Sequence, residues 1–180
     1  FDTPPSDWGY DDAVMCDWFA DRVIAQSGTG EPFLAGLLTL SSHRPFDVPF
    51  SRFDDRELNA FAFADDCVGR MIDKLRASPW DDLLVVLVAD HGYPWPRSLS
   101  YNEPLRHRIP MIWTGGAVAG PRVVEEYASQ IDICATILGQ LEVAHDDFDY
   151  SKDIFAPTPP RKFAYYTFND GFGVVDASGE

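Results

Sequence analysis

The stretch LLVVLVADHG, residues 83–92, decides the fold. Its first seven residues, Leu83–Ala89, form an uninterrupted apolar run that ends at Asp90, His91 and Gly92. A short run rich in Val and Leu predicts a strand buried on both faces, as in a parallel sheet. Ligands of open α/β sheets bind at the carboxyl ends of the strands, so Asp90 and His91 stand where a site is expected.

Apolar residues elsewhere in the chain follow the spacings of helices and buried strands. The predicted helices are Asp11–Gln26, Asp55–Ala77 and Asp132–Leu141, and the further predicted strands are Pro32–Ser41 and Ile109–Thr114. The residues predicted to face inward are Phe61, Asp65, Val68, Ile72 and Leu75 in the second helix, and Ile133, Ile137, Leu138 and Leu141 in the third. Residues 123–129 predict a short strand or turn, and Asp170-Gly171 between alternating runs predicts a β-hairpin.

This order of elements predicts an α/β fold with a mostly parallel sheet flanked by helices and a C-terminal β-hairpin. No linker interrupts the pattern, so we expect residues 1–180 to form a single domain. Within it, residues 1–7 predict an irregular lead-in, and residues 162–180 predict the hairpin and a tail.

Composition excludes several classes of protein. The net charge of -15 argues against nucleic-acid binding, which needs a basic face. The longest apolar run is far shorter than the ~20 residues that span a bilayer, and no targeting signal is present in the chain. Because residue 1 is Phe rather than Met, we expect a fragment or processed chain whose anchor or signal would lie upstream.

The three cysteines, Cys16, Cys67 and Cys134, are far apart in sequence. Cys67 and Cys134 stand in apolar helical patterns, which predicts that they are buried free thiols.

Two polar clusters follow predicted strands and are candidates for chemistry. A carboxylate and an imidazole, as at Asp90 and His91, are good ligands for Zn²⁺ or Mn²⁺. The alternative is an Asp that caps a turn beside an exposed His. His43, in the loop after the first predicted strand, is suited to contact a phosphate or sulfate oxygen, or else binds backbone. If the two strands are neighbours, the two clusters face each other across one cleft.

Other basic residues have a more ordinary interpretation. Arg44 is a lone loop arginine, which is usually solvated. Residues 106–108 (Arg-His-Arg) are expected to form a surface cluster that pairs with nearby carboxylates. His145 lies among several aspartates, where a second metal site is conceivable but a solvated acidic loop is the simpler interpretation.

Six segments in order carry a family resemblance. They are WGYDD from residue 8, TLSSHRPFDVP from 39, FADDCVGRMIDKL from 63, LLVVLVADHG from 83, HRIPMIWTGG from 107 and SQIDICATILGQL from 129. Together they resemble the sulfatase-like domain of the lipoteichoic acid synthase and phosphoglycerol transferase group, in the alkaline phosphatase superfamily. The resemblance covers residues 8–155, most of the chain.

The resemblance implies roles for particular residues. In such enzymes a Thr nucleophile is activated by a divalent metal, manganese or zinc, whose ligands include an Asp-His pair that corresponds to Asp90 and His91. His43 corresponds to the histidine near the substrate phosphate. Residues 129–138 match a family segment that packs the fold. Within this segment we expect Asp132 to cap its helix.

The resemblance also implies a substrate class and a location. The substrate would be a phosphate or sulfate ester, with a lipid headgroup among the candidates, and residues 93–106 including Trp95 would help to select it. The group commonly has N-terminal transmembrane helices, which places the parent protein at the extracytoplasmic face of the membrane or in the periplasm.

One departure from the family pattern matters. No segment matches the N-terminal half that supplies the nucleophile and the remaining metal ligands, and neither Thr39 nor Thr114 has the expected context. We therefore expect weak or no metal binding and no turnover from this chain by itself, and self-association through surfaces that the missing half would cover. A phosphoethanolamine transferase or phosphodiesterase of the same superfamily, and a non-catalytic, degenerate binding module, remain the alternative functions.

Overall fold

The computed structural model describes residues 9–94, 98–158 and 161–178. Its helices and strands are α1 (Asp12–Ser27), α2 (Arg56–Leu75), β1 (Val85–Val88), β2 (Met111–Thr114), α3 (Asp132–Gln140), β3 (Phe163–Phe168) and β4 (Gly171–Asp176). The predicted α/β class and C-terminal hairpin are confirmed. Trp95 and the predicted lead-in of residues 1–7 lie outside the described residues.

The chain packs as two compact units, each built from two stretches of sequence. The first unit comprises Phe1–Val85 with Thr114–Ala119, and the second comprises Val86–Trp113 with Gly120–Glu180. The expectation of a single domain over residues 1–180 stays a prediction. In the described parts of the chain, no helix combines the length and the apolar character needed to cross a membrane.

Helices α1 and α2 form the core of the first unit. Both start at an aspartate cap: Asp11 Oδ1 accepts a hydrogen bond from Val14 N, and Asp55 Oδ1 accepts from the backbone N of Glu57 and Leu58. The two helices share a buried cluster, to which Leu83, from the segment before β1, also belongs. The residues from the helices are Cys16, Ala20, Val23, Phe63, Cys67, Met71 and Leu75.

The inward face of α2 differs from the predicted one. Asp65 is exposed, whereas Phe63, Cys67 and Met71 are buried. Phe61, Val68 and Ile72 are only half-buried, and Leu75 alone of the predicted set is fully buried. Both sets satisfy the three- and four-residue spacing of a helix, so the position of α1, rather than the spacing, selects the buried face.

The predicted strand Pro32–Ser41 is wrong for this chain. Residues 31–40 are assigned neither helix nor strand, and Leu34 and Leu38 are 96% and 72% exposed. A strand is defined by hydrogen bonds to a neighbour, and this segment has no ladder partner among the described residues. Its apolar character is therefore not matched by burial.

The described residues form two small sheets, which lie mainly in the second unit. Strands β1 and β2 pair with each other, and both are shorter than the predicted Leu83–Ala89 and Ile109–Thr114. Strands β3 and β4 form an antiparallel hairpin whose register runs from Phe163↔Asp176 to Phe168↔Gly171. The predicted hairpin is confirmed, with Asn169 and Asp170 as its two-residue turn and Gly171 as the first residue of β4.

Helix α3 buries polar residues together with apolar ones. Its buried residues are Asp132, Ala135 and Thr136. Ile133, Ile137 and Leu138 are half-buried, but Leu141, which was predicted to face inward, follows the last residue of the helix and is 63% exposed. Residues 123–128 contain no strand, and most of them are exposed.

Candidate functional site

Asp90 and His91 lie two and three residues after the last residue of β1, in the second unit. The Oδ1 atom of Asp90 accepts a hydrogen bond from the backbone N of His91 at 2.9 Å. This short loop directs the second carboxylate oxygen back toward the imidazole, and Asp90 Oδ2 lies 3.7 Å from His91 Nε2. Both side chains are largely exposed, at 69% and 74%. The two predicted ligands are therefore together and accessible from solvent.

The imidazole of His91 is oriented by its other nitrogen. Its Nδ1 atom lies 2.9 Å from the carbonyl oxygen of Gly92, and a carbonyl oxygen can only accept. The neutral ring therefore carries its proton on Nδ1 and leaves Nε2, the atom nearer Asp90, with a lone pair. Histidine ligands of metals are commonly fixed in this way by a carbonyl behind the ring.

The spacing of the two donor atoms fits a single cation. Donors on one tetrahedral ion lie roughly 3.4 Å apart when each bond is about 2.1 Å long. The 3.7 Å between Asp90 Oδ2 and His91 Nε2 is close to this value. One carboxylate oxygen and one imidazole nitrogen also match the ligand chemistry of Zn²⁺ or Mn²⁺. In the described parts of the chain, no group of three or more His, Cys, Asp or Glu side chains could hold a metal.

Gly92 is required by packing. A Cβ atom at this position would overlap the carbonyl oxygen of Arg106. The backbone of Gly92 does not adopt the left-handed conformation that favours glycine, so a tight turn does not explain the residue. The turn after β1 thus lies directly against the backbone of the 3-10 turn Pro104–His107.

Gln130 also holds this turn, and sequence reasoning missed it. Its Nε2 atom donates to the carbonyl oxygens of Ala89 and Asp90, at 2.7 and 2.8 Å. Gln130 lies about 40 residues away in sequence, on the segment that leads into α3. No local pattern in the sequence indicates such a bond.

The prediction that Asp132 caps its helix is wrong, because its carboxylate binds groups outside the first turn. Asp132 is the first residue of α3, where Ile131 occupies the cap position without a side-chain bond. Its buried carboxylate accepts from the backbone N of Ser129 and Lys152, at 2.8 and 3.0 Å, and lies 3.6 Å from Lys152 Nζ. Burial lowers the pKa of the Lys152 ammonium, and the neighbouring Asp132 carboxylate opposes that shift.

His43 lies in the first unit, on a turn held by backbone bonds. Its N atom donates to Leu40 O at 2.9 Å, and its Nδ1 lies 2.8 Å from Arg44 O. The preceding residues are fixed by Asp12, a buried carboxylate that accepts from the backbone N of Leu40 and Ser41, at 2.7 and 3.1 Å. Because His43 and the Asp90–His91 pair belong to different units, their common cleft stays a prediction.

A surface cavity of about 510 Å³ lies beside the His43 turn. Its lining combines two guanidinium groups, a carboxylate and two apolar residues, namely Arg44, Arg56, Glu57, Pro45 and Phe46. The Arg56 guanidinium already lies 3.3 Å from an Asp47 carboxylate oxygen. The cavity therefore offers mixed charge rather than a dedicated anion site.

Arg106, His107 and His145 contact backbone carbonyls or aromatic rings. The Arg106 guanidinium lies 3.9 Å from the centre of the Tyr101 ring, and its Nη1 donates to Leu99 O at 3.2 Å. The His107 ring stacks on Tyr166 with centroids 4.7 Å apart. His145 Nδ1 lies 3.1 Å from Val143 O. Among the described residues, Arg106 and His107 therefore have packing contacts and no ion pair with the expected carboxylates.

Comparison with known proteins identifies the family. The model of the family described as Sulfatase matches residues 1–143. The chain belongs to the sulfatase family. Phosphoglycerol transferase I of Xanthomonas axonopodis pv. citri (strain 306) is 25% identical over 169 residues, covering 86% of this chain and 24% of that protein. Phosphoglycerol transferase I of Salmonella arizonae is 31% identical over 104 residues, covering 49% of this chain and 14% of that protein.

Solved structures show the same fold. A protein in the alkaline phosphatase superfamily from Vibrio parahaemolyticus matches 97% of this sulfatase-family chain, with a TM-score of 0.83 and 23% identity. The lipoteichoic acid synthase LtaP from Listeria monocytogenes matches 96% with a TM-score of 0.75 and 22% identity. This chain covers 45% and 53% of those two chains, and about a quarter (24%) of the curated Xanthomonas relatives. The α/β fold expected from the sequence is confirmed, and these two solved structures share it.

Proposed function

We propose that this chain is the C-terminal part of a metal-dependent phosphoglycerol transferase, and that Asp90 and His91 are two of its metal ligands. The observation that supports this most directly is the approach of Asp90 Oδ2 and His91 Nε2 to 3.7 Å at the end of β1. The curated relatives, each named phosphoglycerol transferase I, support the same reaction class. Sulfatase-type hydrolysis is the other reaction that this family allows.

A divalent cation, Mn²⁺ or Zn²⁺, would be held by the carboxylate of Asp90 and the imidazole of His91, together with ligands from a longer polypeptide. When bound, such a cation supplies charge that lowers the pKa of a coordinated hydroxyl and neutralises an anionic ester. Two protein ligands are fewer than the three or four of a tight site. We therefore expect weak cation binding and no turnover from the 180 residues by themselves.

The residues of this chain would prepare the site in three ways. The Gly92 carbonyl accepts from His91 Nδ1 and so keeps Nε2 available to a cation. The backbone N of His91 fixes one carboxylate oxygen of Asp90 and leaves the other directed toward the imidazole. His43 would contact the substrate phosphate or sulfate, an assignment that rests on the family resemblance.

The substrate class proposed here is a phosphate diester with a glycerol headgroup, such as a lipid carries. The transfer would take place at the extracytoplasmic face of the membrane or in the periplasm. Membrane attachment would come from segments outside these residues.

An activity assay on the polypeptide read from the complete open reading frame tests the proposal. With Mn²⁺ present, we expect release of phosphoglycerol from a glycerol-headgroup phosphodiester. We expect no release with Asp90→Asn or His91→Ala, and undiminished release with Asp149→Asn, a control in the acidic loop beside His145. Full activity of His91→Ala would contradict the site assignment.

The same assay separates the related reactions. A phosphoethanolamine diester and an aryl sulfate serve as comparison substrates. Faster turnover of either one would replace phosphoglycerol transfer by phosphoethanolamine transfer or sulfate hydrolysis at the same site. A folded protein with no activity on any of the three esters would favour the non-catalytic, degenerate module.

A further inference from the structure

The turn that carries Asp90 and His91 is attached to the rest of its unit through its backbone. Both side chains are mostly exposed, so packing does not hold them. Among the described residues, the hydrogen bonds made by their side chains are local and involve residues 90–92. Strand β1 ends at Val88, so the carbonyl groups of Ala89 and Asp90 lie beyond the regular strand. Backbone groups in such a position bond to water unless another part of the chain supplies a partner.

The side-chain amide of Gln130 is that partner. Its NH₂ group has two hydrogens, and they reach two successive carbonyls, Ala89 O at 2.7 Å and Asp90 O at 2.8 Å. Two bonds to adjacent peptide groups fix both the position and the rotation of the Ala89–Asp90–His91 backbone. The directions in which the Asp90 and His91 side chains leave the backbone are fixed with it.

Gln130 follows a residue, Ser129, that is attached to the rest of the unit by hydrogen bonds. The neighbouring Ser129 donates through Oγ to Tyr165 O at 2.8 Å and accepts from Tyr165 N at 2.6 Å, which attaches it to β3. The backbone N of Ser129 donates to the buried Asp132 carboxylate at 2.8 Å. That carboxylate is in turn paired with the buried Lys152. These contacts therefore extend from the hairpin and the start of α3 to the turn after β1.

We propose that Gln130 is a positioning residue that fixes the Asp90–His91 turn in the geometry that binds a divalent cation. It does not touch the cation and contributes no ligand. This inference rests on the proposed function, because it assumes that Asp90 and His91 are the cation's ligands. Groups that orient metal ligands from behind typically change metal affinity by roughly 10- to 100-fold when they are removed.

Two variants test the inference. Gln130→Met keeps the length of the side chain and removes both donors, and Gln130→Glu replaces the amide by a carboxylate that repels the two carbonyls. Gln140→Met is the matched control, because Gln140 is exposed at the last position of α3. Without metal, we expect faster amide hydrogen exchange at residues 90–92 in both Gln130 variants and no change in the control.

A Mn²⁺ titration of each folded protein supplies the second measurement. The concentration that halves the His91 ring NMR signal should rise about tenfold or more in Gln130→Met, and should stay at the wild-type value in Gln140→Met. A residue that only stabilises the fold would lower the melting temperature and leave this concentration unchanged.

The outcomes separate the two proposals. If Mn²⁺ broadens His91 equally in wild type and Gln130→Met, and amide exchange at residues 90–92 is also unchanged, the role of Gln130 is wrong while the metal site stands. If exchange rises but the Mn²⁺ concentration does not, Gln130 stabilises the turn without affecting the ligands, and the inference is overturned. If Mn²⁺ leaves His91 of the wild type unaffected, the proposed metal site fails, and this inference fails with it.

Discussion

The Oδ2 atom of Asp90 lies 3.7 Å from the Nε2 atom of His91. The other oxygen of this carboxylate accepts from the backbone N of His91, and the other nitrogen of the ring donates to Gly92 O. Each side chain thus has one polar atom used to fix its orientation and one directed toward its neighbour. An oxygen and a nitrogen donor at this spacing suit one divalent cation better than an ion pair, which would bring the two atoms closer together.

Replacing Gly92 by alanine should destabilise the turn that carries the candidate ligands. A Cβ atom there would overlap the Arg106 carbonyl, which is backbone and cannot rotate away. We expect the free energy of unfolding, measured in urea, to fall by about 1–3 kcal/mol. The control is Gly69→Ala in α2, where a Cβ meets nothing within 4 Å. That change should raise the free energy of unfolding by about 0.5–1 kcal/mol, because alanine is the better helix former. Equal effects of the two substitutions would show that Gly92 is not held against Arg106.

Asp12→Asn should loosen the segment that precedes His43. The new NH₂ group would face one of two backbone donors, Leu40 N or Ser41 N, in a buried position. We expect a loss of about 1–3 kcal/mol in the free energy of unfolding, with faster amide exchange at Leu40 and Ser41. Asp17→Asn is the control, since Asp17 pairs with Lys74 on the surface and should cost less than about 1 kcal/mol. Unchanged exchange at Leu40 would contradict this assignment.

The buried thiols should make the first unit sensitive to alkali. Burial, with a smaller contribution from the Asp12 carboxylate, raises the pKa of Cys16 from 9.0 to about 12. The folded state therefore keeps a proton that the unfolded state loses, and stability present below pH 9.0 is lost as the pH rises toward about 12. The difference in free energy of unfolding between wild type and Cys16→Ala should shrink over that range.

Alkylation of the native protein gives an independent check. The half-buried Cys134 should react before the buried Cys16 and Cys67. Burial raises the pKa of Cys67 as well, and the thiolate is the reactive form. Rapid labelling of Cys16 would mean that the contact between α1 and α2 opens readily.

The segment around Leu34 should cause self-association. Leu34 and Leu38 are exposed on a segment that is apolar in sequence and unpaired among the described residues. We expect light scattering after size-exclusion chromatography to give a mass above that of the monomer, and Leu34→Asp with Leu38→Asp to restore the monomer. Leu141→Asp, at an exposed leucine of the second unit, should leave the mass unchanged. A wild-type monomer at high concentration would contradict this prediction.

Local signals in the sequence predicted the helices and the hairpin well. Asp11 and Asp55 mark the starts of α1 and α2 because their carboxylates bind backbone N–H groups only two or three residues ahead. The hairpin turn was predicted because Asp-Gly fits a tight reversal. The pair Asp90–His91 was singled out as a candidate, and stays a prediction, because it directly follows the apolar run Leu83–Ala89.

Features that depend on distant partners were missed. Residues 32–41 have the composition of a buried strand, but a strand also needs a neighbour to pair with. The chain covers about half (45% and 53%) of the solved structures that share its fold, and we expect such a neighbour to come from the remainder. Gln130 and Asp12 act across 40 and about 28 residues of sequence, and no spacing rule connects residues so far apart.

The central claim is that Asp90 and His91 bind a divalent cation. Its most direct test is a Mn²⁺ titration of the chain, followed by the ring NMR signals of its four histidines. The paramagnetic ion broadens signals close to it even when binding is weak. We predict that the His91 signal disappears at the lowest Mn²⁺ concentration, before that of His145 in the acidic loop, and that Asp90→Asn abolishes this selectivity. Broadening that begins at His145, or that is unchanged by Asp90→Asn, would contradict the account.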